Sequence, residues 1–293
     1  MTRQSKNALH LKGTVHLKGP SRAPLLGRHL LAIGVSILLI LPLLWMMVGS
    51  FAEVGTARRT LGEVLATVGL ANAQDNYTEI FRIVPLARYF LNSLLVSTVG
   101  VALTLLTASW AGFAMSQLPK SARRWLLGVS IVLLMTPVTA LWLTRFLLFS
   151  WLGASNSYLP LLAPALMGSS PLFILLFYWN FRRIPKEMFE SAQLEGATPI
   201  RNWRLVALPQ ATPAILAVGL LSFLFYWNDF INPLLYLRSQ KLYTLALGLN
   251  QIRAMDQTNF PLLLAAALVM TVPALVVFLL AQRALLGETK FTG

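Results

Sequence analysis

Leu262-Leu-Leu-Ala-Ala-Ala-Leu-Val-Met270 is nine residues long and has no polar face. A surface helix of a soluble domain sets an apolar stripe against a polar one. The uncharged run containing this stretch extends from Gln257 to Gln282, and a bilayer-spanning helix needs about 20 mostly apolar residues. Further uncharged runs cover Leu30–Ala52, Tyr89–Pro119, Trp125–Thr144, Phe146–Phe181 and Leu205–Asn228. The run Phe146–Phe181 is long, but Gly153-Ala-Ser-Asn-Ser-Tyr158 in its middle is polar and turn-forming. It reads as a loop followed by one span. The expected fold is therefore all-α, a polytopic membrane protein with six spans near residues 30–50, 90–117, 125–147, 158–181, 212–234 and 260–283.

Composition agrees. The 293 residues are 56% hydrophobic and only 12% charged, with mean hydropathy +0.66, whereas a soluble domain carries about 25% charged residues. The charge that remains is unevenly placed. Of the 24 Lys and Arg, 16 fall before the first span, in the loops after the second and fourth, and in the tail, against 8 on the opposite side. Lys and Arg in short loops favour the cytoplasm, so both termini are expected there, in the cell (plasma or inner) membrane. The net charge of +14 is divided among separate loops, which speaks against nucleic acid as a partner.

The first 28 residues form a basic arm carrying the near-repeat His10-Leu-Lys-Gly13 and His16-Leu-Lys-Gly19. Its expected neighbour is membrane lipid with anionic headgroups. The arm and the following 23-residue apolar run are too long for a secretory signal, so the first span reads as uncleaved. The domain plan is then an arm, 1–28, and a membrane domain, 29–293. There is no Cys, and all three His lie at or before position 29. No thiolate metal site, disulfide or His-based catalytic centre within the membrane body is open to this chain.

Two external segments are sizeable. Residues 53–88 contain Asp75-Asn76-Tyr77-Thr78-Glu79, which reads as a helix start capped by Thr78 or Asn76. Residues 235–259 carry Tyr243, Arg253 and Asp256. Together they offer a docking surface for an external partner. The cytoplasmic loop 182–211 is longer than a plain connection requires and reads as two short helices. Pro185 opens the first, with Met188 and Ala192 on one face and Phe189 beside them. Gly196 ends the turn or admits a close approach. Thr198-Pro199 opens the second helix, Leu208-Pro209 closes it, and Thr212-Pro213 starts the fifth span by the same device.

Within that loop, Glu190-Ser191-Ala192-Gln193-Leu194-Glu195-Gly196 is followed after nine residues by Val206-Ala207-Leu208-Pro209. This resembles the EAA motif of bacterial ABC importer permeases: Glu-Ala-Ala, three residues, Gly, nine residues, Ile-x-Leu-Pro. Ser191 and Val206 are the departures. Leu41-Pro42-Leu43-Leu44-Trp45-Met46, Phe90-Leu91-Asn92-Ser93, Trp227-Asn228-Asp229-Phe230 and Tyr243-Thr244-Leu245 are similar to the carbohydrate-import branch, and within it to the six-span permeases of maltose-type systems. The likeness covers about residues 30–293, and the basic arm is outside it.

The resemblance implies a type I ABC importer permease architecture. It implies as partners a cytoplasmic ABC ATPase dimer, a second permease in a heterodimer and an extracytoplasmic solute-binding protein. ATP would bind the partner, since this chain has no Gly-x-x-x-x-Gly-Lys-Ser/Thr loop. The expected ATPase-coupling residues are Glu190 as the polar contact, Met188, Phe189 and Ala192 as apolar contacts, and Gly196, Leu208 and Pro209 as shape-determining positions.

At the exit of the fifth span Tyr226, Asn228 and Asp229 are candidates for the substrate path, against the plainer reading of a solvated or capping carboxylate. Asn92, Ser93, Thr104 and Thr107 in the second span read first as helix-packing groups. Trp110, Trp142, Trp151, Trp179 and Trp227 read as interface anchors, Arg145 as a snorkelling side chain, and Pro137, Pro164, Pro171 and Pro273 as kink positions. A secondary transporter is disfavoured because no span carries a mid-membrane carboxylate, Lys or His. A membrane scaffold without transport activity is the other alternative.

Overall fold

The computed structural model describes residues 22–53, 61–167, 170–255 and 259–288, and among them every regular element is helical. The basic arm up to residue 21, Arg58, Arg59, Asp256 and the tail from residue 289 lie outside the described residues. The chain divides into two units, Met1–Trp45 and Met46–Gly293. The first contains most of α1 (Arg22–Ser50), with Pro42 inside the helix. The boundary expected at residue 28 therefore falls within a helix.

The second unit holds the end of α1, then α2 (Leu61–Ala66), α3 (Leu70–Ile83), α4 (Leu86–Gln117), α5 (Lys120–Met135), α6 (Trp142–Trp151), α7 (Leu159–Leu166) and α8 (Pro171–Phe181). These are followed by α9 (Lys186–Leu194), α10 (Pro199–Arg201), α11 (Thr212–Trp227), α12 (Ile231–Tyr236), α13 (Leu245–Met255) and α14 (Phe260–Glu288).

Five stretches are long and apolar enough to cross a bilayer: Gly27–Ser50, Leu86–Gln117, Leu159–Phe181, Pro209–Trp227 and Phe260–Ala284. The expected third span is not one helix. Lys120–Met135 and Val138–Trp151 meet at 87°. Pro137 has no N–H to donate and disfavours helix at the residue before it, and Thr136 is extended (φ −74°, ψ 122°). The fifth span also ends early, at Trp227 instead of 234, and α12 resumes separately.

The core is organised around α4. Ser93, Ser97, Gly100, Thr104, Ala108, Gly112 and Ser116 recur every three or four residues and are all buried. That spacing places them on one face, against α8 and α11. Small side chains let helices approach closely. A Cβ at Gly112 would lie 2.8 Å from the Ile174 carbonyl oxygen and from Phe177 Cβ. Thr107 donates to the Ala165 carbonyl at 2.7 Å, a contact between packed helices.

One end of the unit is tied by side chains bonded to backbone. Asn92 Nδ2 donates to the carbonyls of Lys241 and Tyr243 at 3.0 and 2.9 Å, and Ser93 Oγ accepts from Leu245 N–H at 2.7 Å. Asn76 is not a helix start but sits inside α3, which begins after Gly69 with no side-chain cap. Its buried amide donates to Ser50 and Ala52 carbonyls, both at 2.9 Å, closing the end of α1. Thr78 likewise caps nothing and donates to Gln74 O.

Tyr89 and Trp227, aromatic and near span ends, are not interface residues. Tyr89 is fully buried beside Gly248, and Trp227 Nε1 donates to Met270 O at 2.8 Å in the core. Trp151 and Trp179 are exposed.

Candidate functional site

At the opposite end, α9, α10 and the turns up to residue 211 form a platform on the side of the α4–α5 connection. Lys186 follows Pro185, and Glu187 lies in the first turn of α9, where a carboxylate suits the positive helix end. The helix stops in a Schellman arrangement. Gly196 N–H donates to Gln193 O, Ala197 N–H donates to Ala192 O, both at 2.9 Å, and Gly196 sits at φ +85°. A Cβ there would meet nothing within 4 Å, so within this chain the glycine is required by its φ and not by close approach. Thr198 then caps the next helix, its Oγ1 accepting from Arg201 N–H at 3.4 Å with Pro199 at the first position.

Residues Asn202–Ala207 widen into a π-turn closed by Leu208 N–H on Trp203 O at 2.9 Å. Pro209 offers no donor to the preceding turn, and a 3₁₀ turn Pro209–Ala211 leads into α11. Thr212 does not cap the span. Its hydroxyl donates back to Pro209 O at 3.2 Å, and no side-chain cap is present.

The side chains expected at the coupling joint divide. Glu190 is exposed and makes no ion pair among the described residues. Met188 is exposed, held by Gln210 Nε2 at 3.6 Å from its sulfur, and Ala192 is half-buried. Phe189 is turned inward. It is 4% exposed and its ring lies 5.8 Å from that of Phe113, so the apolar contact expected of it with a partner is made inside the chain. Sequence reasoning missed Leu194, 91% exposed, together with Ile200 and Leu205, both exposed. With Met188 they are exposed apolar side chains of the platform that also carries Glu190. The visible signal was a leucine one residue before a helix cap, with no periodic partner.

The candidate path residues also divide. Tyr226 is buried, its ring 2.7 Å from where a Gly100 Cβ would lie, its hydroxyl 3.2 Å from Thr104 Oγ1. Asn228 is exposed and donates to Leu224 O of its own helix at 2.9 Å. Asp229 is half-buried and held by Asn232, through its N–H at 3.2 Å and its amide at 2.8 Å.

The described unit is thus a helical body with a capped two-helix platform at one end and a hydrogen-bonded loop layer at the other. The sequence profile of the binding-protein-dependent transport system inner membrane component matches residues 100–286, and the chain belongs to that family.

It is similar to the arabinooligosaccharides transport system permease protein AraQ of Halalkalibacterium halodurans, 30% identical over 87% of this chain and 91% of that protein. It is also similar to the trehalose/maltose transport system permease protein MalG of Thermococcus litoralis, 28% identical over 89% and 95%. The fold matches a chain of a bacterial ABC transporter that imports the polysaccharide alginate, with TM-score 0.72 at 17% identity, covering 90% of this chain and 98% of that one. The chain is thus the membrane-spanning subunit of an ATP-driven importer, a multi-pass inner-membrane protein that works with a separate ATPase and a solute-binding protein. This decides against the secondary transporter and the scaffold.

Proposed function

We propose that this subunit imports an oligosaccharide or related carbohydrate and that its platform, residues 182–211, seats the ATPase. The seat rests on one observation: Met188, Leu194, Ile200 and Leu205 are exposed on the platform that carries the exposed Glu190. Apolar side chains on a charged face are what a partner's groove covers. ATP is held by that partner. The carbohydrate assignment is supported by the named substrates of the relatives. Residues 29–293 act as the permease domain, paired with a second, different permease, and both termini face the cytoplasm. Asn228 and Asp229 are the groups offered to solute, while Tyr226 shapes the wall behind them.

Two measurements test this. Glu190→Ala removes a charge-assisted contact worth about 1.5–3 kcal/mol in a desolvated site. The variant should insert normally, lose the ATPase on purification and stop uptake. Wild-type ATPase retention and uptake would overturn the seat. Binding of a panel of di- and oligosaccharides to the solute-binding protein that works with this subunit identifies the solute, and recognition of amino acids or metal ions instead would overturn the carbohydrate assignment.

A further inference from the structure

We propose that the outward face of α5 is a binding site for an anionic phospholipid, its phosphate held by Lys120 and Arg124 and one acyl chain laid in the groove over Gly128.

The groove has a volume of ≈ 390 Å³ and is lined by Arg124, Trp125, Gly128, Val129, Val132 and Leu133. These residues form two adjacent rows, 124–128–132 and 125–129–133, and rows of that spacing run lengthwise along a helix. The opposite side of α5 packs on α8, where Leu126 and Leu127 join Leu175 and Tyr178. No residue of α5 is buried, and Trp125 and Val132 are 68% and 65% exposed.

Gly128 forms the floor. Glycine weakens a helix interior relative to alanine, and close packing is the usual compensation. Here a Cβ would meet nothing within 4 Å. The approach that this glycine permits is therefore to something outside the chain. A neighbouring membrane helix asks for small residues repeated a turn apart. One turn away from Gly128 stand Arg124, Trp125, Ile131 and Val132, large side chains that wall a slot. Such a slot suits a single hydrocarbon chain better than a helix. Its length agrees: the rise from Arg124 to Leu133 is about 14 Å, against roughly 15 Å for half of the hydrocarbon layer. Just beyond, the chain turns by 87°, which ends the groove near the bilayer's middle.

The charge at the platform-side end selects the headgroup. Lys120, Arg123 and Arg124 open α5 with no carboxylate in the first turn and no side-chain cap. None of the three is in an ion pair among the described residues. Lys120 and Arg124 are exposed and one turn apart, so they repel each other, and the helix dipole adds partial positive charge at the same end. A phosphate between them offsets both effects. A zwitterionic headgroup brings a cation of its own and offsets less.

The test uses the complete transporter, with its ATPase and companion permease, in nanodiscs of dioleoylphosphatidylglycerol and dioleoylphosphatidylcholine in equal parts. A trace of one lipid or the other carries a photoactivatable diazirine in its acyl chain, and peptide mass spectrometry locates the label. The glycerol lipid should label residues 124–133 at least about fivefold more than the choline lipid, the factor expected for one basic residue near an anionic surface. Lys120→Gln/Arg124→Gln should erase that preference while both lipids still label the segment. Gly128→Leu fills the groove and should lower labelling of the segment by both lipids, with Gly128→Ala lowering it less. Because position 128 faces open space, both glycine variants should assemble and retain the ATPase. Equal labelling by the two lipids in the unaltered transporter would reduce the site to ordinary boundary lipid and overturn the inference. So would cross-linking of α5 to the companion permease in place of lipid, or unchanged labelling in Gly128→Leu.

Discussion

The two ends of the membrane unit are held by different chemistry. The layer opposite the platform is latched by directional bonds: Asn76 to Ser50 and Ala52, Asn92 to Lys241 and Tyr243, Ser93 to Leu245, and Asn156 (φ +61°) accepting from Arg238 and Ser239. The platform end is shaped internally by backbone caps and joined to the spans by rings and methyl groups, Phe189, Trp203, Val206 and Ala207 among Phe113, Phe177 and Phe181. Hydrogen bonds fail steeply with angle, whereas dispersion contacts are many, weak and non-directional. One end is therefore fixed in register by angle-sensitive bonds, and the other is a shaped block held by packing.

The largest expected effect tests the block's shape. Gly196→Val places a β-branched residue in the left-handed region, which costs an ordinary L-residue roughly 1–2 kcal/mol and a β-branched one more. It should undo the α9 terminus and reduce ATPase co-purification at least about tenfold, a change equivalent to ~1.4 kcal/mol. Gly196→Asn, which tolerates that region, should retain most of it. Equal retention in both would mean that the turn does not shape the seat.

Gly100→Leu tests the body between the ends. Its side chain would enter the Tyr226 ring and should destabilise by about 1–3 kcal/mol, read as a lowered thermal midpoint in detergent together with weaker uptake. Asn76→Ala tests the latch. Losing two buried donors should cost about 1–3 kcal/mol and expose the α2–α3 region to protease while ATPase co-purification stays intact. A loss of the ATPase in that variant would break the separation of the two ends. Thr212→Ala should do least, within about 0.5 kcal/mol, because its hydroxyl returns to Pro209 O and caps nothing.

The long uncharged runs made five spans legible, since length and missing polarity suffice for a helix in lipid. The platform was legible because Pro185, Gly196, Thr198 and Pro199 act locally, and local chemistry is written in adjacent letters. What an aromatic faces is not. Tyr89 and Trp227 at span ends carry the composition of interface anchors, yet Gly248 and Met270, distant in sequence, bury them. The start of α3 was misread because Gly69 leaves no side-chain signal, while the polar Asp75–Glu79 lies inside the helix. Phe189 was assigned to a partner for a similar reason: its own partner, Phe113, is far along the chain. The buried stripe from Ser93 to Ser116 was present as spacing, and only Ser93 and Thr104 were read from it.

The break at Thr136-Pro137 sets a corner inside an apolar stretch. From Trp125 to Met135 the helix rises about 15 Å, roughly half of a ~30 Å hydrocarbon layer, and there it turns by 87°. Met135, Val138 and Leu141 around the turn are exposed. Irregular backbone at such a depth must satisfy its own polar groups, and here Thr136 N–H returns to Leu133 O at 3.2 Å and Ala140 N–H to Pro137 O at 3.1 Å. The corner thus turns the chain within an apolar stretch on short-range bonds of its own, behind an apolar rim.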